Sequence, residues 1–132
     1  KKLSKKYLQH IFETIEWITP NWEEVLALTG EKDAVNGAEI IGAFCNVYLK
    51  GGHSIETPAT DMIWINRKLD ILHPKEISEL EKHGTGCVLS SAITAYLALG
   101  NSMHKACELA KEYTYRFLIS NKTNLGFHAM ND

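Results

Sequence analysis

Leu8, Ile11, Phe12 and Ile15 recur at the spacing of one helical face, which predicts an amphipathic helix from Ser4 to about Thr14. Glu16-Trp17-Ile18-Thr19 is then a short β-prone run stopped by Pro20. A second helix is expected from Trp22 to Thr29, closed by Gly30 in the left-handed position that ends many helices. A third follows from Ala34 to about Phe44, interrupted or loosely packed at Gly37 and Gly42. Asn46-Val47-Tyr48-Leu49-Lys50 is an apolar run ending in Gly51-Gly52, the pattern of a buried strand that delivers a loop at its carboxyl end. Asp61 to Asn66 and Lys68 to Leu72 read as two further strands, with Asn66-Arg67 as a tight turn between them. Two helices close the chain, Gly86 to Leu99 and His104 to about Ile119. Helices and strands alternate early and a hairpin sits in the middle, so the class is α/β.

On the last helix Ala106, Leu109, Ala110, Tyr113 and Phe117 form the expected core stripe, and Lys105, Glu108, Glu112 and Arg116 cover the opposite face. Lys111 belongs to neither set. At 100° per residue it falls beside Cys107 and Leu118 on the border of the stripe, where its stem can lie along the core while its ammonium reaches a neighbouring site.

Composition narrows the function classes. The 132 residues are 45% apolar and 23% charged with a formal charge of -2, an ordinary globular mixture without the cationic surplus of a nucleic-acid binder. Three cysteines, Cys45, Cys87 and Cys107, form no CxxC pair and are odd in number, so they suggest neither a disulfide framework nor a zinc knuckle and fit a reducing cytoplasm. Gln9, His10, Glu13 and Glu16 interrupt any signal-like apolar core near the basic start. The uncharged stretch from Gly84 to Met103 is scattered with Thr85, Ser90, Ser91 and Thr94, so it reads as a buried helix and no membrane is involved. Trp17, Trp22 and Trp64 show no register with basic residues and read as packing. The first methionine is Met62, so the expectation is a chain that continues beyond its first residue.

Three constellations could carry chemistry, and each also has a purely structural reading. His83-Gly84-Thr85-Gly86-Cys87 stands at the mouth of the uncharged helix. Its glycines let backbone N–H groups converge, and the helix terminus adds positive potential suited to a transferring phosphate. Cys87, in the first turn, is a candidate proton acceptor or substrate contact. The plain alternative is a glycine loop entering a helix, with Cys87 as a small core residue. Lys50-Gly51-Gly52-His53 places one point charge at the end of a buried strand, with a backbone able to close around a polyphosphate, or else a solvated lysine before a turn. Asn21 and Glu24 form a capping box, or bring Glu24 near a magnesium ion, or both.

Taken in order, these pieces resemble the C-terminal half of the ribokinase-like vitamin kinases: Ile18-Thr19-Pro20-Asn21 with Glu24 and Leu28-Thr29-Gly30, then Val47 to His53, Asp61, His83 to Cys87 with Leu89-Ser90-Ser91-Ala92, and Ala110-Lys111. Cysteine at Cys87, where most relatives carry the aspartate of a GxGD loop, narrows the resemblance to the hydroxymethylpyrimidine/phosphomethylpyrimidine kinase branch of thiamine biosynthesis. The resemblance implies a three-layer α/β/α sandwich of which residues 1–132 supply the C-terminal part of one kinase domain, the N-terminal substrate-binding part lying elsewhere. It also implies a cytoplasmic, homodimeric enzyme using ATP and Mg2+ on a small pyrimidine substrate. Gly84, Thr85 and Gly86 would form an anion hole and Cys87 would face the acceptor hydroxyl. Lys50, Gly51, Gly52 and Lys111 would hold phosphates, and Glu24 with Asn21 would organise magnesium. The alternatives are a pyridoxal-type kinase on the same fold and a non-catalytic fragment or partner-binding module.

Overall fold

The computed structural model describes residues 5–51, 58–78, 80 and 82–128. Contacts divide the chain into two compact units, Lys1–Pro74 and Lys75–Asp132. In the first unit α1 (Lys5–Thr14), β1 (Trp17–Ile18), α2 (Trp22–Thr29), α3 (Ala34–Gly42), β2 (Asn46–Leu49), β3 (Asp61–Ile65) and β4 (Lys68–Leu72) follow one another. The strands form one sheet in the order β1-β2-β3-β4, with β1 parallel to β2 and the other two pairs antiparallel.

The elements follow the predicted ones closely because their ends carry local signals. Asn21 caps α2, and Gly30 closes it at φ 76°. Asn66 and Arg67 both take positive φ, 51° and 67°, as a two-residue hairpin turn with the twist of the flanking strands requires. The Asn46 side chain fixes that turn by accepting the Asn66 N–H at 2.9 Å. Every residue of β2 is buried, as its uninterrupted apolar pattern demands. Phe12, Val25, Ala38, Ile41, Val47 and Leu49 are joined by Trp64 in the core, so each of the three helices packs part of its apolar face with the sheet, while Ile11 of the expected α1 face and Ile40 of α3 stay exposed.

One expectation fails here. The helix α3 runs through Gly37 without a break, and a Cβ there would sit 2.6 Å from Val25 Cγ1; it does stop at Gly42, short of Phe44, but closely packed, since a Cβ there would sit 3.1 Å from the Trp64 side chain. The glycines are where neighbouring elements come closest.

The second unit holds α4 (Thr85–Ala98) and α5 (Met103–Ile119). The expected buried character of α4 does not hold, since Leu89, Ala92 and Ile93 are its buried residues, a single stripe at i, i+3 and i+4, while Ser91 and Thr94 are exposed. The core stripe of α5 is also rotated: Ala106, Ala110 and Phe117 are buried as expected, but Cys107 and Thr114 take the places assigned to Leu109 and Tyr113. Thr114 tolerates burial because its hydroxyl donates to the Ala110 carbonyl at 2.8 Å. On the outer face Glu112 pairs with Lys75 at 3.0 Å and Arg116 at 3.8 Å, and the Lys75 hydrogen bond holds its carboxyl below the usual range.

Candidate active site

The carboxyl ends of β1 and β2 bring three of the expected residues together. The backbone N–H of Lys50 donates to the Pro20 carbonyl at 3.1 Å, which extends the parallel pairing past β1 and sets Lys50 beside the start of α2. There Asn21 Oδ1 accepts from the Glu24 N–H at 2.8 Å, and Glu24 Oε2 accepts from the Asn21 N–H at 2.7 Å, a reciprocal capping box. The same Oε2 lies 3.8 Å from Lys50 Nζ. Lys50 is 25% and Glu24 55% exposed in their side chains, so both can meet a solute. Glu24 also lines an open depression of ≈ 390 Å³ together with Ile18, Thr19, Pro20, Ala27 and Leu28.

The capping box commits one carboxylate oxygen of Glu24 and leaves the other outside the cap. This suits a hard cation carried by phosphates and water better than an all-protein cage. Among the described residues no three His, Cys, Asp or Glu side chains converge as one.

Gly51 follows Lys50 at a close approach: a Cβ there would stand 1.6 Å from the Thr60 carbonyl oxygen. Its N–H donates to Asp61 Oδ1 at 2.8 Å, while Tyr48 Oη donates to Asp61 Oδ2 at 2.6 Å. Asp61 and Tyr48 are both buried, so the carboxyl group ties the exit of β2 to the entry of β3 with both of its oxygens. The sequence marks Asp61 only as part of a resemblance. Its available signal is a carboxylate opening the apolar strand Asp61-Met62-Ile63-Trp64-Ile65, which a buried strand keeps only with partners. Gly52 and His53 lie outside the described residues.

In the second unit Gly84 is the N-cap of α4 at φ 83° and ψ 1° and gives the helix no side-chain cap. Asn21, Asp33 and Ser102 supply such a cap to α2, α3 and α5. The terminus at Thr85, Gly86 and Cys87 therefore presents its positive end without a built-in acceptor, an arrangement that can hold an anion. A Cβ on Gly84 would meet nothing within 4 Å, so the space before the loop is open. Cys87 is exposed, which removes the reading of it as a small core residue. Lys111 is half-buried on α5, one turn beyond buried Cys107, on the stripe border the periodicity assigns to it.

Thiol chemistry separates the cysteines. Cys45 and Cys107 are buried, and burial pushes the Cys45 thiol up to about 11. Of these three cysteines, only Cys87 is expected to react with iodoacetamide at pH 8 in native protein, with the other two reacting only after denaturation. Peptide mapping checks this, and native labelling at Cys107 would contradict the packing of α5.

Residues 1–131 match the sequence profile of the family described as phosphomethylpyrimidine kinase. The hydroxymethylpyrimidine/phosphomethylpyrimidine kinase of Bacillus subtilis strain 168 is 35% identical over 119 residues, covering 83% of this chain and 43% of the relative. The structure of a Bacillus subtilis pyridoxal kinase bound to ADP superposes with a TM-score of 0.70 at 28% identity, covering 80% of this chain and 43% of that one. A pyrophosphate-dependent kinase in the ribokinase family matches with a TM-score of 0.64 at 16% identity over 83% of this chain and 38% of its own, a likeness of fold. The fold is ribokinase-like, and the chain spans less than half the length of the curated relatives it matches. Matched along practically its whole length, and carrying its charged strand end and open helix terminus in sequence order, the chain belongs to the phosphomethylpyrimidine kinase family.

Proposed function

We propose that the complete gene product transfers the γ-phosphoryl group of ATP to the hydroxymethyl group of hydroxymethylpyrimidine and then to the resulting monophosphate, in thiamine biosynthesis. This chain is then the phosphate-handling C-terminal part of a single kinase domain. The observation that carries the reading is the uncapped α4 terminus behind Gly84-Thr85-Gly86-Cys87 in a member of this family. Phosphoryl transfer asks chiefly for positioned positive charge around the moving group, and the amides of that loop offer it without basic surface. Lys50 and Lys111 hold phosphate oxygens, with the Gly51-Gly52 backbone closing behind Lys50. Glu24, supported by Asn21, faces the magnesium that accompanies the nucleotide, and that ion supplies charge neutralisation of the phosphates. Cys87 faces the acceptor hydroxyl, either taking its proton or lining the site. A homodimer in the cytoplasm completes the proposal; no helix among the described residues is long and apolar enough to cross a membrane.

A second reading, a pyridoxal kinase, is favoured by the ADP-bound pyridoxal kinase among the structural relatives. The two separate in one assay. ADP release by the complete gene product with ATP and magnesium is expected to depend on hydroxymethylpyrimidine. Release that follows pyridoxal instead moves the assignment to the second reading, and release with neither acceptor removes both.

A further inference from the structure

Lys82 is a buried charge at the threshold of the anion loop. Only 8% of it is exposed, and its Nζ donates to the Asn121 carbonyl at 2.9 Å, to Asn121 Oδ1 at 3.0 Å and to the Thr123 carbonyl. An ammonium has three N–H donors, so this set uses all of them. A buried lysine is tolerated only when so paired, and once paired it is rigid.

The backbone around Lys82 faces the loop. The Lys82 carbonyl accepts the Thr85 hydroxyl at 2.7 Å, and the His83 N–H donates to the Asn124 carbonyl at 3.0 Å. The turn that receives these bonds is itself fixed. Asn121 Oδ1 accepts from the Thr123 N–H at 2.8 Å, Asn121 Nδ2 donates to the Leu125 carbonyl at 2.8 Å, and the Phe127 N–H donates to Ser120 Oγ at 2.9 Å. Gly126 lies so close over the Phe117 ring that a Cβ would stand 2.4 Å from it. Rigidity therefore runs from the end of α5, through the 120–127 turn and the Lys82 side chain, to the first residues of α4. Gly84 at positive φ would otherwise be the softest point of that path.

We propose that Lys82 is a positioning residue: its ammonium locks the 120–127 turn to the 84–87 loop so that the loop amides stay aimed at the transferred phosphoryl group. This rests on the anion-loop reading above. It assigns Lys82 a role unlike that of Lys50 or Lys111, because its donors are spent on the chain and none reaches a phosphate.

The test uses the complete gene product with Lys82→Met, which keeps the apolar stem and removes the ammonium, and Lys82→Arg, which restores a cation. Hydrogen exchange of peptides covering residues 82–92 is compared with that of residues 22–29, alongside kcat and KM for the acceptor. Lys82→Met is expected to speed exchange at 82–92 with 22–29 unchanged, and to lower kcat by about 10- to 100-fold with little change in KM. Lys82→Arg is expected to recover part of both. If Lys82→Met does not fold, Asn121→Ala, which removes one of the three acceptors, carries the same comparison. Unchanged exchange at 82–92 in a folded variant, or arginine no better than methionine, overturns the proposal. Exchange needs no substrate, so a parent protein that phosphorylates neither acceptor would defeat the kinase reading while leaving the positioning result readable.

Discussion

Gly51→Ala is expected to destabilise the complete gene product by about 3–5 kcal/mol, the range of a severe core overpacking combined with a lost charge-assisted hydrogen bond. The new methyl group would stand 1.6 Å from the Thr60 carbonyl oxygen and 2.5 Å from the Thr60 carbonyl carbon. Both are backbone atoms, so no side chain can swing away. The exit of β2 and the entry of β3 must separate by more than an ångström, which pulls the Gly51 N–H from Asp61 Oδ1 and strains the neighbouring Leu49–Met62 pair. Against a typical total of about 5–15 kcal/mol this is a large fraction. Gly84→Ala makes the contrast. No atom lies within 4 Å of its Cβ, and the left-handed φ of 83° costs an alanine only about 1–2 kcal/mol. Its effect is expected in turnover, because the methyl group enters the open space where the loop would receive a phosphate. Urea melts of both variants check this. A Gly51→Ala midpoint indistinguishable from the parent would mean that β2 and β3 are not held as described.

What could be read from the sequence was local. The Gly30 cap and the Asn21–Glu24 box depend on residues within four positions of one another, and the turn at Asn66-Arg67 stands where its own residue types place it, with Asn46 bracing it from 20 positions away. The strand β2 was equally legible, because an uninterrupted apolar run has few uses besides burial on both faces. The misreadings concern partners far away in the chain. Gly37 looked like a helix breaker because nothing in its own helix reveals that Val25 and Thr29 press on it. Cys107 and Thr114 displaced Leu109 and Tyr113 from the α5 stripe because a stripe of small residues fits closely where helices approach, and periodicity alone does not fix its rotation to within one residue. Lys82 carried no signal at all: between Glu81 and His83 it reads as loop surface, and its acceptors are 39 and 41 positions away. The positions of Lys50 at a strand end and of Gly84 at a helix terminus were legible in the sequence, whereas the supports behind each, Asp61 and Tyr48 in the first unit and the 120–127 turn in the second, required the fold.

Lys50→Ala is expected to do the reverse of its neighbour: stability within about 1 kcal/mol of the parent, and turnover lower by roughly 10²- to 10³-fold. The stability half follows from exposure. The Lys50–Glu24 pair spans 3.8 Å with side chains 25% and 55% exposed, a range in which solvent and ordering entropy leave an ion pair little net effect. The bond that holds the strand end, from the Lys50 N–H to the Pro20 carbonyl, is made by backbone and survives the substitution. Glu24 keeps its bond to the Asn21 N–H, so α2 stays capped. The turnover half follows from chemistry: a phosphate oxygen arriving beside Glu24 needs a positive charge to offset the carboxylate, and among the described contacts Lys50 is the cation paired with it. The kinetic split identifies when that charge acts. A rise in KM for ATP with kcat preserved means Lys50 grips phosphate equally before and during transfer, whereas a fall in kcat at constant KM means its contact forms with the transition state. Arginine restores the charge without the compact point geometry of an ammonium, so partial recovery is expected from Lys50→Arg. A Lys50→Ala protein that turns over at the parental rate would overturn the phosphate-holding role proposed for Lys50.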